Sequence, residues 1–425
     1  MISIIKYPER NTWKELCERT VVENNVEQIV SSILNDIKQN KDQALFNYTQ
    51  RFDNIELDNL KVQKDEFIEA EKNISAQLKS AIHLAKQNIE KFHLLQKEEE
   101  KRVETSSGIT CWRRSVPIQK VGLYVPGGTA PLFSTVLMLG IPAKIAGCKE
   151  IVLCTPVGAN GKIHPAILYT AHILGLDNVY QVGGAQAIAA MAYGTESVPN
   201  VYKIFGPGNQ FVTTAKQLVN REGVSIDMPA GPSEVAILAD ESAEPSFIAA
   251  ELLSQAEHGK GSHTILISTS LKVIEETIKH VQLQIKQLPR EEFALKGLEN
   301  SKAILVKDIS EAIALVNEYA AEHLVIQTMN DEENSLLIEN AGSVFLGKYT
   351  PVAAGDYFSG TNHTLPTNGY AKTYSGVSID SFMKKITFQN ISKEGIQAHG
   401  KFIEIMSDTE GLHAHSNSVR IRRSE

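Results

Sequence analysis

The sequence predicts an α/β fold with two tandem domains, preceded by a helical region and followed by a helical tail. From about residue 116 onward, short apolar runs alternate with helical stretches, as in βαβ units around a parallel sheet. The alternation occurs twice, and a Pro- and Gly-rich turn at 229–233 separates the two halves. Because a chain of 425 residues is too large for one compact core, we expect two α/β domains of similar size.

The predicted elements follow one another in order. Residues 10–104 are charged and carry apolar residues at three- and four-residue steps, which is typical of amphipathic helices. The first α/β domain has predicted strands at 121–125, 151–154, 179–182 and 203–205, with helices at 135–146, 165–174 and 186–193. The second has predicted strands at 234–239, 264–268, 303–306, 324–327 and 343–346. A Gly-, Pro- and Thr-rich loop at 348–376 and a polar, helix-prone tail at 380–420 follow. We therefore divide the chain at 1–110, 111–232, 233–376 and 377–425.

Composition and charge exclude several classes of protein. Apolar content of 42% and charged content of 22% are those of an ordinary globular protein. A net charge of −8, without a large basic cluster, argues against nucleic-acid binding. The start lacks the apolar core of a signal peptide, and no run approaches the roughly 20 apolar residues of a membrane helix. The four cysteines form no CxxC pair and indicate reduced thiols in the cytoplasm.

A polar pair at the end of an apolar helix is the first candidate for chemistry. Gln255 and His258 stand three residues apart, so a helix would place both on one face, aimed away from the packed side. Pro245 is a plausible start and Gly259 a natural end. The predicted buried stripe is Phe247, Ile248, Leu252, Leu253 and Ala256. The pair could be half of a metal site, or a surface turn with an incidental histidine.

Three glycine-bearing turns follow strands of the first domain. They are YVPGG at 124–128, VGGAQA at 182–187 and FGPGN at 205–209. Each opens a helix, where main-chain N–H groups and the helix dipole favour an anionic group such as a dinucleotide pyrophosphate. None is a GxGxxG fingerprint, so tight turns without a ligand remain the alternative.

The second domain offers an adjacent acid and base. Glu322 and His323 lie at a helix-to-strand junction, and such a pair suits general-base catalysis. The alternative is a helix-end histidine on the dipole beside a solvated glutamate. Asp356 and His363 lie in a glycine-punctuated loop that could face a ligand, or Asp356 could make an Asx turn.

The tail and the cysteines supply weaker candidates. The EGLHAH segment at 410–415 carries Glu410, His413 and His415, which could also be an incidental histidine pair in a disordered tail. Cys111 or Cys154 could be a thiol nucleophile, but neither has a histidine nearby in sequence.

Taken together, these segments resemble the histidinol dehydrogenase family over nearly the whole chain. The motifs are GLYVPGG at 122–128, VGGAQAIAA at 182–190, IFGPGN at 204–209, AGPSE at 230–234, LLSQAEHG at 252–259, EHL at 322–324, GDYFSGTNH at 355–363 and EGLHAH at 410–415. Eight motifs in the right order are highly specific. The resemblance implies two tandem incomplete Rossmann-like α/β domains, with the C-terminal helical tail swapped in a homodimer.

The resemblance also implies roles for individual residues. One Zn²⁺ per subunit would be bound by Gln255, His258, Asp356 and His415, the last from the partner subunit. The catalytic pair would be Glu322 and His323. The contacts to NAD would be Tyr124, Gln186 and Asn209, in the domain at 111–232, and the contacts to substrate would be Ser233, His323, His363 and Glu410 together with the zinc ligands.

The activity implied by the resemblance is the last step of histidine biosynthesis. L-Histidinol would be oxidised to L-histidine through bound L-histidinal, with reduction of two NAD⁺. The nearest alternative is a related zinc- and NAD-dependent dehydrogenase for another small alcohol, such as a sulfonated diol, although the carboxylate of Glu410 would repel an anionic substrate. A zinc hydrolase using Glu322 and His323 would not need the three glycine turns, and a non-catalytic binding protein would leave metal, base and dinucleotide elements idle.

Overall fold

A computed structural model describes residues 2–19, 25–127, 131–229, 231–259 and 261–425. Gly128 of the first glycine turn and Ala230 of the turn between the domains lie outside these residues. The N-terminal elements are β1 (Ser3–Lys6), α1 (Trp13–Leu16), α2 (Val26–Asp53), α3 (Lys64–Lys72) and α4 (Ala76–Leu94), followed by strands β2 (Arg102–Ser106) and β3 (Ile109–Pro117). Helix α2 is interrupted at Lys41, where φ is +50°.

The first α/β unit contains a five-stranded parallel sheet. Its elements are β4 (Lys120–Tyr124), α5 (Phe133–Ala146), β5 (Glu150–Thr155), α6 (Pro165–Ile173), β6 (Val179–Gln181), α7 (Gly184–Tyr193), β7 (Lys203–Phe205), α8 (Gln210–Arg221) and β8 (Ser225–Ile226). The strand order is β6-β5-β4-β7-β8. The N-terminal helices cover this unit, since α2 packs on α7 and α8, α3 on α6, and α4 on α5.

The second α/β unit contains a six-stranded parallel sheet. Its elements are β9 (Glu234–Ala239), α9 (Pro245–Ala256), β10 (His263–Ser268), α10 (Leu271–Gln284), α11 (Glu291–Gly297), β11 (Lys302–Leu305), α12 (Ile309–Tyr319), β12 (His323–Gln327), α13 (Asp331–Ser335), β13 (Ser343–Leu346) and α14 (Val352–Tyr357). The strand order is β1-β11-β10-β9-β12-β13, so the N-terminal strand β1 completes this sheet.

Both parallel sheets are covered on both faces, which confirms the predicted α/β class. In β9, Val235 and Ile237 belong to one apolar cluster, whereas Ala236 and Leu238 belong to another on the opposite face. Strands buried on both faces read as continuous apolar runs, which is why the sequence revealed them. No helix in the described ranges is long and apolar enough to cross a membrane.

The tail differs from its predicted helical character at its start. Strand β14 (Met383–Ile391) pairs antiparallel with β3, and Phe388 stacks on Trp112 with ring centroids 5.3 Å apart. Polar residues at 380–391 concealed this strand, since pairing with a distant partner overrides local propensity. Helices α15 (Lys393–Thr409) and α16 (His413–Arg423) then pack against each other as a hairpin.

The two sheets present opposite edges to the space between them. The three glycine turns follow the carboxyl ends of β4, β6 and β7, as expected for a nucleotide-binding edge. In the second unit, Glu234 and His323 begin β9 and β12, so its candidate residues lie at the amino edge. This arrangement brings residues of both units to shared cavities.

Candidate active site

The predicted acid and base are buried together at the start of β12. Ala320 adopts a left-handed conformation with φ +54° at the end of α12, which turns the chain from the helix into the strand. Glu322 is only 6% exposed and His323 only 5%. The alternative of a solvated glutamate beside a surface histidine is therefore wrong.

The main chain of Glu234 holds both side chains. Its N–H donates to Glu322 Oε2 at 2.8 Å, and its carbonyl oxygen lies 3.1 Å from Nδ1 of His323. A carbonyl oxygen only accepts hydrogen bonds, so Nδ1 carries a proton and Nε2 is the basic nitrogen of the neutral ring. His323 Nε2 is buried without a hydrogen-bond partner, 3.7 Å from Asp356 Oδ1.

The surroundings of this pair raise both pKa values, for different reasons. Burial lowers the pKa of His323, but the carboxylates of Glu322 and Asp356 outweigh it and raise the pKa to about 9. Burial raises the pKa of Glu322 to about 7, although His323 opposes this shift. Glu322 thus titrates near neutral pH, which suits a group that transfers protons, whereas the raised pKa favours the protonated form of His323 while both carboxylates face it. A cation bound by Asp356 would compete with His323 for that carboxylate, so the charge of the imidazole depends on what Asp356 binds.

Three of the expected metal donors, Gln255, His258 and Asp356, lie at the ends of two helices. Helix α9 begins at Pro245 as predicted, and Gly259, with φ +103°, follows its last turn. His258 is exposed to a cavity that Asp356 also lines. Asp356 lies in the short helix α14 rather than in the expected loop, and contact with His323 holds its pKa below the ordinary value despite burial.

Two details of the α9 prediction are wrong. Phe247 is 41% exposed and its ring lies near that of Tyr349, because the position falls at the edge of the packed face. Gln255 is 5% exposed rather than aimed away from the packed side. Its Nε2 atom is buried without a hydrogen-bond partner, one helical turn before His258.

The donor chemistry of one chain fits a zinc ion but does not complete its coordination. An imidazole, a carboxylate and an amide, which can turn its oxygen toward a metal, are suitable zinc ligands. Over the ranges that the structure describes, no three His, Cys, Asp or Glu side chains are grouped to hold a metal ion. Gln255, His258 and Asp356 would supply three ligands, and one more ligand would complete a four-coordinate site.

The structure does not bring the tail residues to this site. Glu410 directly follows α15 and His415 lies in the first turn of α16; both are exposed, and neither lines the cavities that contain the other candidates. His413 is also exposed and lies 3.2 Å from Asp408 Oδ1. Their predicted roles therefore depend on a second subunit.

A small cavity of about 200 Å³ contains three of the expected substrate contacts, whereas His323 lies behind its wall, next to the lining residue Glu322. It is lined by Ser233, His258, Glu322 and His363, among others. His363 Nδ1 lies 3.1 Å from the main-chain oxygen of Asp356, and Nε2 lies 3.1 Å from Thr135 Oγ1. The position of His363 is thus fixed by residues of both α/β units.

A larger cavity of about 1150 Å³ contains the expected dinucleotide contacts Tyr124, Gln186 and Asn209. The hydroxyl of Tyr124 accepts the N–H of Gly184, the first residue of α7. Asn209 Oδ1 caps α8 by accepting the N–H groups of Phe211 and Val212. His258 and Asp356 also line this cavity, so the dinucleotide and metal candidates share one space.

A buried ion pair that sequence reasoning missed holds the third glycine turn. Lys216 Nζ contacts Asp227 Oδ1 at 2.5 Å and donates to the carbonyl oxygen of Gly206. Asp227 Oδ2 accepts the N–H of Gly206 at 2.8 Å. Side chains of Lys216 and Asp227 are 3% and 1% exposed. The lysine lies on α8 and the aspartate just after β8, so their spacing gave no signal of a contact.

The cysteine alternative finds no support in this geometry. All four cysteines lie among the described residues and are free. Cys111 lies in β3 of the antiparallel sheet, and Cys154 is fully buried in β5, where burial raises the pKa of its thiol. Neither lines either cavity.

The class that this fold defines is an α/β protein whose candidate site lies between its two α/β units. The sequence model described as Histidinol dehydrogenase matches residues 17–423. The chain belongs to the histidinol dehydrogenase family, and the protein is an oxidoreductase of histidine biosynthesis.

Individual relatives agree with this assignment. The chain is 57% identical over 425 residues to a histidinol dehydrogenase of Bacteroides fragilis, covering 100% of this chain and 99% of that protein. It is 48% identical over 420 residues to a histidinol dehydrogenase of Haemophilus influenzae, covering 96% and 97%. The crystal structure of histidinol dehydrogenase from Elizabethkingia anophelis has a TM-score of 0.97 and 51% identity, covering 99% and 98% of the two chains.

Proposed function

We propose that this protein oxidises L-histidinol to L-histidine through bound L-histidinal, with two NAD⁺ reduced and one zinc ion per subunit. One observation carries the proposal: His258 lines both the cavity of Tyr124, Gln186 and Asn209 and the cavity of Ser233, Glu322 and His363. A donor shared by both cavities lets a dinucleotide and a small substrate meet beside the base His323.

Gln255, His258 and Asp356 of one subunit, with His415 of the other, would hold the zinc ion. When bound, zinc anchors and orients the substrate through its nitrogen atoms, and NAD⁺ accepts the hydride that leaves the substrate carbon. Ser233 and His363 line the adjacent small cavity and would contact the substrate. Glu410 of the other subunit would pair with the substrate ammonium group.

In the first half of the reaction, His323 takes the hydroxyl proton of the alcohol. Its Nδ1 is fixed on the carbonyl of Glu234, so the unpartnered Nε2 is the atom that accepts the proton. Loss of that proton and of one hydride from the same carbon converts the alcohol to the aldehyde. Burial of the pair limits the access of bulk water to it.

In the second half, Glu322 assists the addition of water to the aldehyde. A carboxylate with its pKa raised to about 7 can accept a proton from water near neutral pH. After His323 has released its first proton to solvent and a second NAD⁺ has replaced NADH, His323 takes a proton from the resulting diol as the second hydride leaves to that NAD⁺, which gives the carboxylic acid. A water nucleophile also removes any need for a cysteine.

We also infer a homodimer with shared active sites, and the tail supports this inference. Helix α15 exposes large apolar side chains, including Phe402 at 65% and Met406 at 67%. Together with the exposed Glu410 and His415, these residues favour an arm that docks on a partner subunit. The free thiols of all four cysteines suit a reducing compartment, and we infer that the protein acts in the cytoplasm.

The decisive experiment is NADH formation from L-histidinol before and after chelation. We expect two NADH per substrate, loss of activity with a chelator, and recovery with zinc. One NADH per substrate would contradict the two-step oxidation, and unchanged activity after complete metal removal would contradict the zinc requirement. Faster turnover of a sulfonated diol than of L-histidinol would favour the related alcohol dehydrogenase.

A further inference from the structure

Glu234 connects the catalytic pair to the N-terminal segment. It is the first residue of β9 and is 1% exposed. Its N–H holds Glu322 and its carbonyl oxygen holds His323, so a shift of this one peptide segment would move both. The side chain of Glu234 points to other partners, which fix the segment in place.

Arg19 binds that carboxylate in a two-point contact. Its Nε donates to Oε1 and its Nη2 to Oε2 of Glu234, both at 3.0 Å. The guanidinium lies 3.9 Å from the ring centroid of Tyr319 and also donates to the carbonyl oxygens of Tyr319 and Cys17. The planar fork of arginine matches a carboxylate in this way, whereas a lysine would present a single point charge.

The same carboxylate also fixes the segment that carries His363. The N–H of Asn368 donates to Oε1 of Glu234 at 2.8 Å, and the hydroxyl of Thr367 accepts the N–H of Gly231. Without Arg19, the buried carboxylate would lose its counterion, and such an unpaired charge forces a rearrangement or a change in protonation. Either outcome would disturb β9 and the segment after His363 together.

We propose that Arg19 is a positioning residue for the reaction: through Glu234 it holds the N–H and C=O groups that orient Glu322 and His323. This inference rests on the proposed catalytic roles of Glu322 and His323. The guanidinium of Arg19 donates to Glu234 and to the carbonyl oxygens of Cys17 and Tyr319, and Arg19 lines neither cavity, so we assign it no contact with substrate or dinucleotide.

The test compares Arg19→Met with a matched control that loosens the same segment elsewhere. Lys302 Nζ donates to the carbonyl oxygen of Leu16 at 2.7 Å and so anchors this segment to β11 without touching Glu234. In the zinc-loaded enzyme, we expect Arg19→Met to lower kcat about 10- to 100-fold, as loss of a supporting hydrogen-bond partner does at other sites. We expect KM for NAD⁺ to stay within about twofold, and Lys302→Met to keep kcat near that of the unaltered enzyme.

A double-mutant cycle and a conservative variant complete the test. If Arg19 acts through Glu234, Arg19→Met combined with Glu234→Gln lowers kcat no more than the worse single variant. If Arg19→Met fails to fold, Arg19→Lys replaces it in the test, because lysine keeps the charge but not the planar fork. We expect its melting temperature to be close to that of the unaltered enzyme and its kcat to be reduced. Any of three results would overturn the proposal. The first is a folded Arg19 variant with unaltered kcat, and the second is an equal loss of kcat in Arg19→Met and Lys302→Met. The third is a double variant whose loss of kcat is the product of the two single losses.

Failure of the proposed function gives a different result. If His323→Ala kept full activity, His323 would not be the base, and the proposed catalytic pair itself would be wrong, whatever the role of Arg19. If His323→Ala were inactive while folded Arg19→Met retained kcat, only the role of Arg19 would be wrong.

Discussion

The imidazole of His323 and the main chain of Glu234 are joined at Nδ1, which lies 3.1 Å from the carbonyl oxygen. This contact leaves Nε2 as the basic nitrogen, 3.7 Å from Asp356 Oδ1. The orientation of the base is therefore set by the strand next to its own, since β12 pairs with β9 in the sheet.

Replacing His323 is expected to impair both halves of the reaction. His323→Ala removes Nε2 and should lower kcat by about 10²- to 10⁴-fold, the usual contribution of a positioned general base. His323→Asn keeps a donor that can reach the carbonyl of Glu234 but cannot accept the proton as imidazole does, so it controls for local structure. Steady-state rates from L-histidinol and L-histidinal measure the effect. Near-normal turnover of both substrates by either variant would show that another group is the base.

Glu322→Gln should separate the two halves. The amide oxygen can still accept the N–H of Glu234, now held by Glu322 Oε2 at 2.8 Å, so local geometry is retained. Without a carboxylate to assist water, oxidation of L-histidinal should fall about tenfold or more relative to oxidation of L-histidinol. The ratio of the two rates in single-turnover assays is the measurement. Equal losses in the rates of the two oxidations would contradict the role of Glu322 in activating water.

The sequence predicted those features that a short segment carries by itself. Strands β5 and β10 each contain an apolar run, and Glu322 and His323 are adjacent, so a few consecutive residues were enough to predict each feature. Strand β1 was missed because it becomes a strand only by pairing with β11, where Ser3 lies opposite Lys302. The contact of Arg19 with Glu234 joins residues 215 positions apart, and no spacing rule detects it.

Gly206 allows a test of whether the glycine turn after β7 contributes to NAD⁺ binding. Its φ is +126°, and a Cβ there would lie 2.0 Å from the carbonyl oxygen of Tyr124. Gly206→Ala should therefore destabilise the protein by about 2–4 kcal/mol and raise KM for NAD⁺, because strain and overlap displace the turn before Asn209.

Gly223→Ala is the matched control, since Gly223 has φ +102° but nothing within 4 Å of an added Cβ. It should cost about 1 kcal/mol from backbone strain and leave KM for NAD⁺ unchanged. Thermal melting and NAD⁺ titration compare the two variants. An equal rise of KM in both would mean that the close approach of Gly206 to Tyr124 is irrelevant to NAD⁺.

Mixed dimers test whether active sites are shared. His323→Ala and His415→Ala should each be nearly inactive. If His415 serves the partner's site, each heterodimer has one site with both residues intact, and random exchange of equal amounts restores about a quarter of the unaltered activity. Activity is measured after unfolding and refolding the mixture together. No restoration, with exchange verified by tagged subunits, would place both residues in the site of one chain.

A buried histidine outside the active site is expected to make the fold sensitive to acid. Burial, helped by the charges of Arg19 and Lys302, lowers the pKa of His263 to about 4. An unfolded chain binds this proton near pH 6.5, so His263 favours the folded state fully above that pH and progressively less as pH falls toward 4. At pH values well above 6.5, this pKa shift contributes about 3 kcal/mol to the free energy of unfolding.

His263→Asn removes this proton-binding group, so unfolding free energy of the variant should fall less steeply than that of the unaltered protein between pH 6.5 and 4.5. Urea titrations across this interval give both slopes. Parallel slopes would show that His263 is protonated as readily in the folded protein as in the unfolded chain. If the unfolding free energy depends less steeply on pH in the variant than in the unaltered protein, the buried imidazole of His263, at the start of β10 and near Arg19, is one source of the protein's instability in acid.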